Sequence, residues 1–283
     1  MNSRELRRFP LTTEIGIAVL LFLYLPLLIV VWMSFNNGPS ALVWEEWGVQ
    51  GYIDAWSDPT LIRAARNSMF LALASMIIST GLATNAAVAA WSRNERRGVD
   101  LRALVIAAPL AVPEVVLAIA TMMVFSMFAL DVGFVAVLFA HVVFCVPLAY
   151  LPISARLKTI DRTLLEAAAD LSAPPWAVFQ QITMPLALPG IVAGALLSFV
   201  ASMNDYVTSY FLAGAGMTTL PTYIFSSLKI GITPKVSAIS TAIIVLSSLQ
   251  LLTVWILGSR GARRSSRAQA DSYHSNLQTM RTI

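Results

Sequence analysis

Long apolar runs broken by short charged loops constrain this chain more than any other feature. A helix needs about 20 mostly apolar residues to cross the hydrocarbon core of a bilayer. Six stretches meet that length: Ile15–Phe35, Ser68–Trp91, Leu101–Phe128, Val132–Pro152, Leu186–Leu212 and Ala238–Leu257. Charged residues make up 12% of the chain, against about 25% in a soluble domain, and most of them fall between the runs. In lipid the backbone must satisfy its own polar groups, so a spanning segment is a helix or part of a closed barrel. Barrel strands alternate in segments of about 10 residues, and these runs are longer and do not alternate. The pattern predicts an all-α integral membrane protein with about six transmembrane helices. Arg4, Arg7 and Arg8 precede the first run as they would a signal peptide. The run exceeds a typical signal core of about 7–15 residues and lacks a small-x-small cleavage site, so it reads as a retained helix.

Lysine and arginine set the orientation. Fifteen of the 19 lie in the N-terminal segment, the second and fourth loops and the C-terminal tail, among them Arg93, Arg96, Arg97, Arg102, Arg156, Lys158 and Arg162. The other side keeps Arg63, Arg66, Lys229 and Lys235. The positive-inside rule then predicts both ends inside. Residues 1–14 form a cytoplasmic start, 15–258 the membrane domain with a cytoplasmic loop at 156–185, and 259–283 a Ser-, Arg- and Gln-rich tail expected to be disordered. The first outer loop holds Trp44, Glu45, Glu46, Trp47, Tyr52, Asp54, Trp56 and Asp58. It reads either as an interfacial aromatic belt with solvated acids or as a surface for a partner or a cationic solute. The lone cysteine excludes a disulfide framework within the chain.

The loop at 156–185 carries Glu166-Ala167-Ala168-Ala169-Asp170-Leu171-Ser172. Asp161 or Thr163 can cap a short helix ending near Leu171, and Thr163 with Glu166 fits a capping box. Ala167 and Ala168 add little bulk, so a partner can approach the helix backbone. Pro174 and Pro175 suit the first turn of a second helix, whose apolar face would hold Trp176, Phe179 and Ile182. The string through Pro185 and Pro189-Gly190 resembles the EAA loop of bacterial ABC importer permeases.

Further stretches carry the same likeness: Asn67-Ser68, Pro113-Glu114-Val115-Val116, His141 through Cys145 to Pro147, Ser198-Phe199, Asn204-Asp205 and Leu220-Pro221. Together they are similar to the spermidine/putrescine permeases of the type I importers, over about Ile15 to Leu257. The resemblance implies the type I permease fold in a bacterial inner (cytoplasmic) membrane, N-in and C-in. It implies docking of an ATPase subunit dimer on Glu166, Ala167, Ala168, Asp170, Leu171 and Ser172. A second, homologous permease, an extracytoplasmic solute-binding protein and membrane lipid are the other implied partners. ATP and magnesium would belong to the ATPase, with no cofactor on this chain. Two departures stand out. Ser172 replaces the family's glycine, making a left-handed turn less comfortable there, and Asn204-Asp205 replaces an Asp-Asp pair common in polyamine permeases.

Two acids lie well inside the predicted spans, Glu114 and Asp205. A charge at mid-membrane costs at least about 2.5–3.5 kcal/mol on insertion scales, so each needs a partner or a wet cavity. Pro109 and Pro113 kink the helix beside Glu114. Gly190, Gly194, Ser198 and Ser202 form a ridge of small residues every fourth position, which lets a neighbouring helix approach closely. Asp205 extends that ridge. With Asn204 and Tyr206 it is expected to face a solute ammonium, or else to sit solvated or paired with Lys229 or Lys235. His141 and Cys145 share a helix face and are read as core packing; no metal site is expected, since two ligands do not close one.

None of the three lysines follows glycine, which excludes a P-loop. No catalytic motif and no nucleic-acid signature is present. The reading is therefore a transport subunit and not an enzyme, moving polyamines or a related small cation. Weaker alternatives are another type I solute (an amino-acid-derived amine, iron or an organic anion), an intramembrane enzyme using Glu114 and Asp205, or a stand-alone channel.

Overall fold

The computed structural model describes residues 10–92, 101–161, 163–214, 217–249 and 252. Arg4, Arg7, Arg8, Arg93, Arg96, Arg97, Arg162, the end of the sixth expected run and the 259–283 tail lie outside them. Among the described residues the chain is helical, apart from one antiparallel bridge between Asn36 and Trp47. The helices are α1 Pro10–Met33, α2 Gln50–Trp56, α3 Pro59–Ser92, α4 Leu101–Ala111, α5 Glu114–Met127 and α6 Phe134–Lys158. They continue as α7 Thr163–Asp170, α8 Pro175–Asn204, α9 Val207–Leu212, α10 Leu220–Ile230 and α11 Pro234–Leu249. Four of these, α1, α3, α6 and α8, are long and apolar enough to cross a membrane, and α4 with α5 makes a fifth if the bent pair is one span.

Two expected spans are not continuous helices. Leu101–Phe128 breaks between α4 and α5, whose axes meet at 99°. Pro113 has no N–H to donate, and its ring blocks the carbonyl four residues back, which is that of Pro109. That carbonyl accepts instead from Val112 N–H at 3.2 Å. The sequence predicted a kink here, and the bend is far larger. Leu186–Leu212 stops at Asn204; Asp205 is extended (φ −67°, ψ 120°) and a new helix starts at Val207.

Among the described residues the chain forms two compact units, 10–63 with 223–246 and 64–222 with the few residues described after 246. In the first, buried Asn36 organises the loop after α1: its amide donates to the carbonyls of Ser40 (2.9 Å) and Val43 (2.7 Å) and accepts from Glu45 N–H (3.0 Å). Trp32, Trp44 and Trp47 pack with ring centroids 4.9–5.0 Å apart. That is too close to cage an ammonium between them. Asp58, expected to be solvated, is a three-way tie. Its Oδ1 accepts from the N–H groups of Thr60 (2.7 Å) and Leu61 (3.2 Å), which open α3. Its Oδ2 accepts from Tyr223 Oη (2.7 Å) and pairs with Lys235 Nζ.

In the second unit α6 and α8 run antiparallel along a four-rung seam. A methyl on Gly190 would stand 2.9 Å from the Pro152 carbonyl oxygen, and one on Gly194 2.7 Å from that of Ala149. Ser198 Oγ donates to the Cys145 carbonyl at 3.2 Å, while Cys145 Sγ donates to the Ser198 carbonyl at 3.4 Å. Ser202 Oγ meets His141 Nδ1 at 2.7 Å. The ridge of small residues is thus matched position by position on α6. Apolar packing flanks it, with Ala83 and Ala87 of α3 against Tyr150, Ile153 and Leu157, and Leu71, Phe125, Val137 and Leu212 in a second cluster.

Candidate functional site

At one end of the second unit, α6 leads into α7. Asp161 Oδ1 accepts from Thr163 N–H at 3.0 Å. Hydrogen bonds from the Thr163 backbone and hydroxyl hold the Asp161 carboxyl below its usual range. Of the two expected caps, Asp161 is therefore the one used. The Thr163–Glu166 capping box does not form, because the N–H it requires is already donated. Glu166 is exposed, with no hydrogen-bond partner among the described residues.

The helix ends in a Schellman turn: Ala173 N–H bonds to Ala168 O at 3.0 Å and Ser172 N–H to Ala169 O at 2.8 Å. Ser172 takes φ +53° to close it. The left-handed turn is therefore kept without glycine. Glu166, Ala167, Asp170, Leu171 and Ser172 are exposed, Leu171 at 83%. Ala168 is buried, at 6% exposed. Pro175 opens α8, as expected, and Trp176 stacks on Phe179 with centroids 5.6 Å apart. A π-helical turn at Phe179–Thr183, which the apolar spacing did not reveal, joins this end to the seam.

Further along, the two breaks face one cavity of about 480 Å³. Glu114, the first residue of α5, lines it together with Asn204, Asp205 and Tyr206 from the α8–α9 break, and with Phe144 and Leu148 of α6. All four residues singled out from the sequence thus reach one space. Their exposure differs. Glu114 and Asn204 are exposed and Tyr206 is half-buried, its ring 5.4 Å from Tyr210. Asp205 is only 8% exposed.

The partner of Asp205 is neither solvent nor a lysine. His141 Nε2 lies 3.0 Å from its Oδ2, while Lys235 pairs with Asp58 and Lys229 stands over the Phe225 ring at 5.0 Å. His141, read as packing, is fully buried and hydrogen-bonded through both ring nitrogens. A signal for this was present. His141, Cys145, Ala149 and Pro152 repeat at helical spacing, opposite in direction to the ridge at 190–202.

The match to known proteins agrees with this architecture. Residues 83–258 match the family model "Binding-protein-dependent transport system inner membrane component". The chain is 33% identical over 273 residues to the putrescine transport system permease protein PotI of Escherichia coli K12, covering 94% of this chain and 97% of that one. It is 36% identical over 240 residues to the spermidine/putrescine transport system permease protein PotC of Haemophilus influenzae, covering 85% and 93%. Among solved structures, a bacterial ABC transporter that imports alginate superposes with TM-score 0.65 at 18% identity, covering 92% of this chain and 98% of that one. The MetNI methionine ABC transporter gives 0.56 at 16%, covering 73% and 96%. The fold is that of ABC importer permeases, and the chain belongs to the binding-protein-dependent transport system inner membrane components, transport subunits and not enzymes.

Proposed function

We propose that this chain is one of two permease subunits of a bacterial inner-membrane importer for putrescine, spermidine or a closely related polyamine. The observation that carries the solute class is the identity, at 33–36%, to putrescine and spermidine/putrescine permeases over most of each chain. The site chemistry is compatible with it. A polyamine is a flexible polycation, and the cavity offers the Glu114 carboxylate, the Asn204 amide and the face and hydroxyl of Tyr206, with Asp205 behind them. A carboxylate attracts an ammonium by charge, and an aromatic face does so by cation–π attraction.

In this reading α7 is the docking element for an ATPase dimer, which carries ATP and magnesium. Both chain ends and residues 156–185 are cytoplasmic. Glu166, Ala167, Asp170, Leu171 and Ser172 supply the docking face, and Ala168 sets the spacing of α7 from the rest of this chain. A solute-binding protein delivers the polyamine on the other side, and a second permease completes the pathway.

The test is uptake by the complete transporter in proteoliposomes, with its own binding protein. Labelled putrescine or spermidine should accumulate with ATP, and arginine, ferric iron and organic anions should not. Uptake of one of those solutes in place of polyamines refutes the solute class. This chain alone should hydrolyse no ATP.

A further inference from the structure

His141 lies in the interior of the second unit, yet neither of its nitrogens is idle. Nδ1 on the α8 side meets Ser202 Oγ at 2.7 Å, and Nε2 meets Asp205 Oδ2 at 3.0 Å and, more loosely, Ser209 Oγ of α9 at 3.4 Å. Asp205 Oδ2 also accepts from Ser209 N–H (2.9 Å) and Ser209 Oγ (3.1 Å), and Oδ1 accepts from Thr208 N–H (3.2 Å). Three donors therefore crowd Oδ2, which has about two lone-pair sites, while Oδ1 takes one. A solute ammonium could reach Oδ2 only by displacing a donor that would then be buried and unpaired, which is costly. What this cluster holds in place is the break itself. Asp205 is the hinge between α8 and α9, and its two neighbours, Asn204 and Tyr206, line the cavity with Glu114.

We propose that His141 is a positioning residue of the solute path. By clamping Asp205 it fixes the α8–α9 break, so that Asn204 and Tyr206 face Glu114 across the cavity. The proposal rests on the reading of that cavity as the path. Both ring nitrogens matter: Ser202 orients the imidazole from α8, and the imidazole orients the acid. In this role Asp205 acts through its neighbours.

The experiment uses the complete transporter in proteoliposomes, with putrescine as the probe and co-purified ATPase as the measure of assembly. Misplacing pathway groups by about 1 Å can cost a factor of about 100 in rate, so His141→Ala should slow uptake about 10- to 100-fold in assembled complexes. His141→Gln, which keeps an N–H donor toward Asp205, should recover to within about threefold of the unmodified protein, since residues acting as one unit are coupled. For the same reason, adding His141→Ala to Asp205→Asn should cost a further factor of about two or less. Normal uptake by His141→Ala, no recovery with Gln, or multiplying costs would overturn the proposal.

A second measurement does not depend on transport or on the truncation being tolerated. The variant Asn204→Cys is labelled with a water-soluble maleimide, the native Cys145 being buried. His141→Phe fills the space without a donor and should change the labelling rate, whereas His141→Gln should not. An unchanged rate with Phe overturns the clamp. If Glu114→Gln and Tyr206→Ala leave uptake unaltered, the cavity is not the path, and the labelling result still decides whether the clamp exists.

Discussion

Gly194→Ala is the sharpest probe of the α6–α8 seam. The added methyl would sit 2.7 Å from the Ala149 carbonyl oxygen and 3.1 Å from its Cα, both backbone atoms. No side-chain rotation relieves that contact, so the helices must separate. Overpacking of a fitted interior costs about 1–3 kcal/mol. Separation also strains the neighbouring Ser198–Cys145 and Ser202–His141 bonds, each worth about 0.6 kcal/mol on average between membrane helices. Alanine regains about 1 kcal/mol of helix propensity over glycine. The net is a loss of about 1–3 kcal/mol, which is roughly a 5- to 150-fold shift in the folding equilibrium. Gly81→Ala is the control, because its methyl would meet nothing within 4 Å. It should be neutral or stabilising by up to about 1 kcal/mol. The assay is reversible unfolding of the purified chain in mixed detergent micelles as the denaturing detergent fraction rises. Equal midpoints for the two variants would refute the seam as a close-packed contact.

Ser172→Gly removes a left-handed strain of about 1–2 kcal/mol and should make the loop after α7 more resistant to proteolysis, with uptake preserved; a more susceptible loop would contradict the turn geometry. Leu171→Arg alters a side chain that is 83% exposed and should abolish ATPase co-purification while leaving the unfolding midpoint within about 0.5 kcal/mol, as for other surface substitutions. The Asp58 carboxyl is held well below its usual range, first by the Lys235 ammonium, then by the Tyr223 hydroxyl and the Leu61 and Thr60 N–H groups. A depressed acid stabilises the fold above its unfolded pKa, about 3.9, and the contribution fades as pH falls through the folded value. The stability gap between the unmodified protein and Asp58→Asn should therefore be constant above about pH 5 and shrink below about pH 4; a gap that widens on acidification would refute the pairing.

Much of this architecture is legible because its causes are local. Apolar length places the helices, Pro113 marks the first break, and the period of four from Gly190 to Ser202 marks the face that packs. The angle at Pro113 is not local. A missing N–H permits a bend, and the surrounding helices decide whether it reaches 99°. The partner of Asp205 is equally distant, 64 residues back on another helix, and only the register of α6 against α8 brings the two together. Both Asp161 and Thr163 are good caps, and a difference of two positions in where α7 begins decided between them. Ser172 shows local backbone hydrogen bonding overruling side-chain preference: two bonds within the turn close the Schellman motif and hold a residue whose side chain disfavours that φ.

The arrangement of rigid and broken segments bears on how force from a docked motor would reach the cavity. Along the seam, backbone approaches leave α6 and α8 no room to slide without breaking hydrogen bonds, and Arg156 Nε ties the near end by donating to the Leu186 carbonyl at 2.9 Å. A displacement passed to either helix would therefore be shared by both. The α4–α5 bend and the α8–α9 break both line the cavity. The His141–Asp205 clamp sits on the second of them. A seam that moves as one body, with a clamped break beside it, would keep Asn204 and Tyr206 in register with Glu114, which is where a solute would have to be held and released.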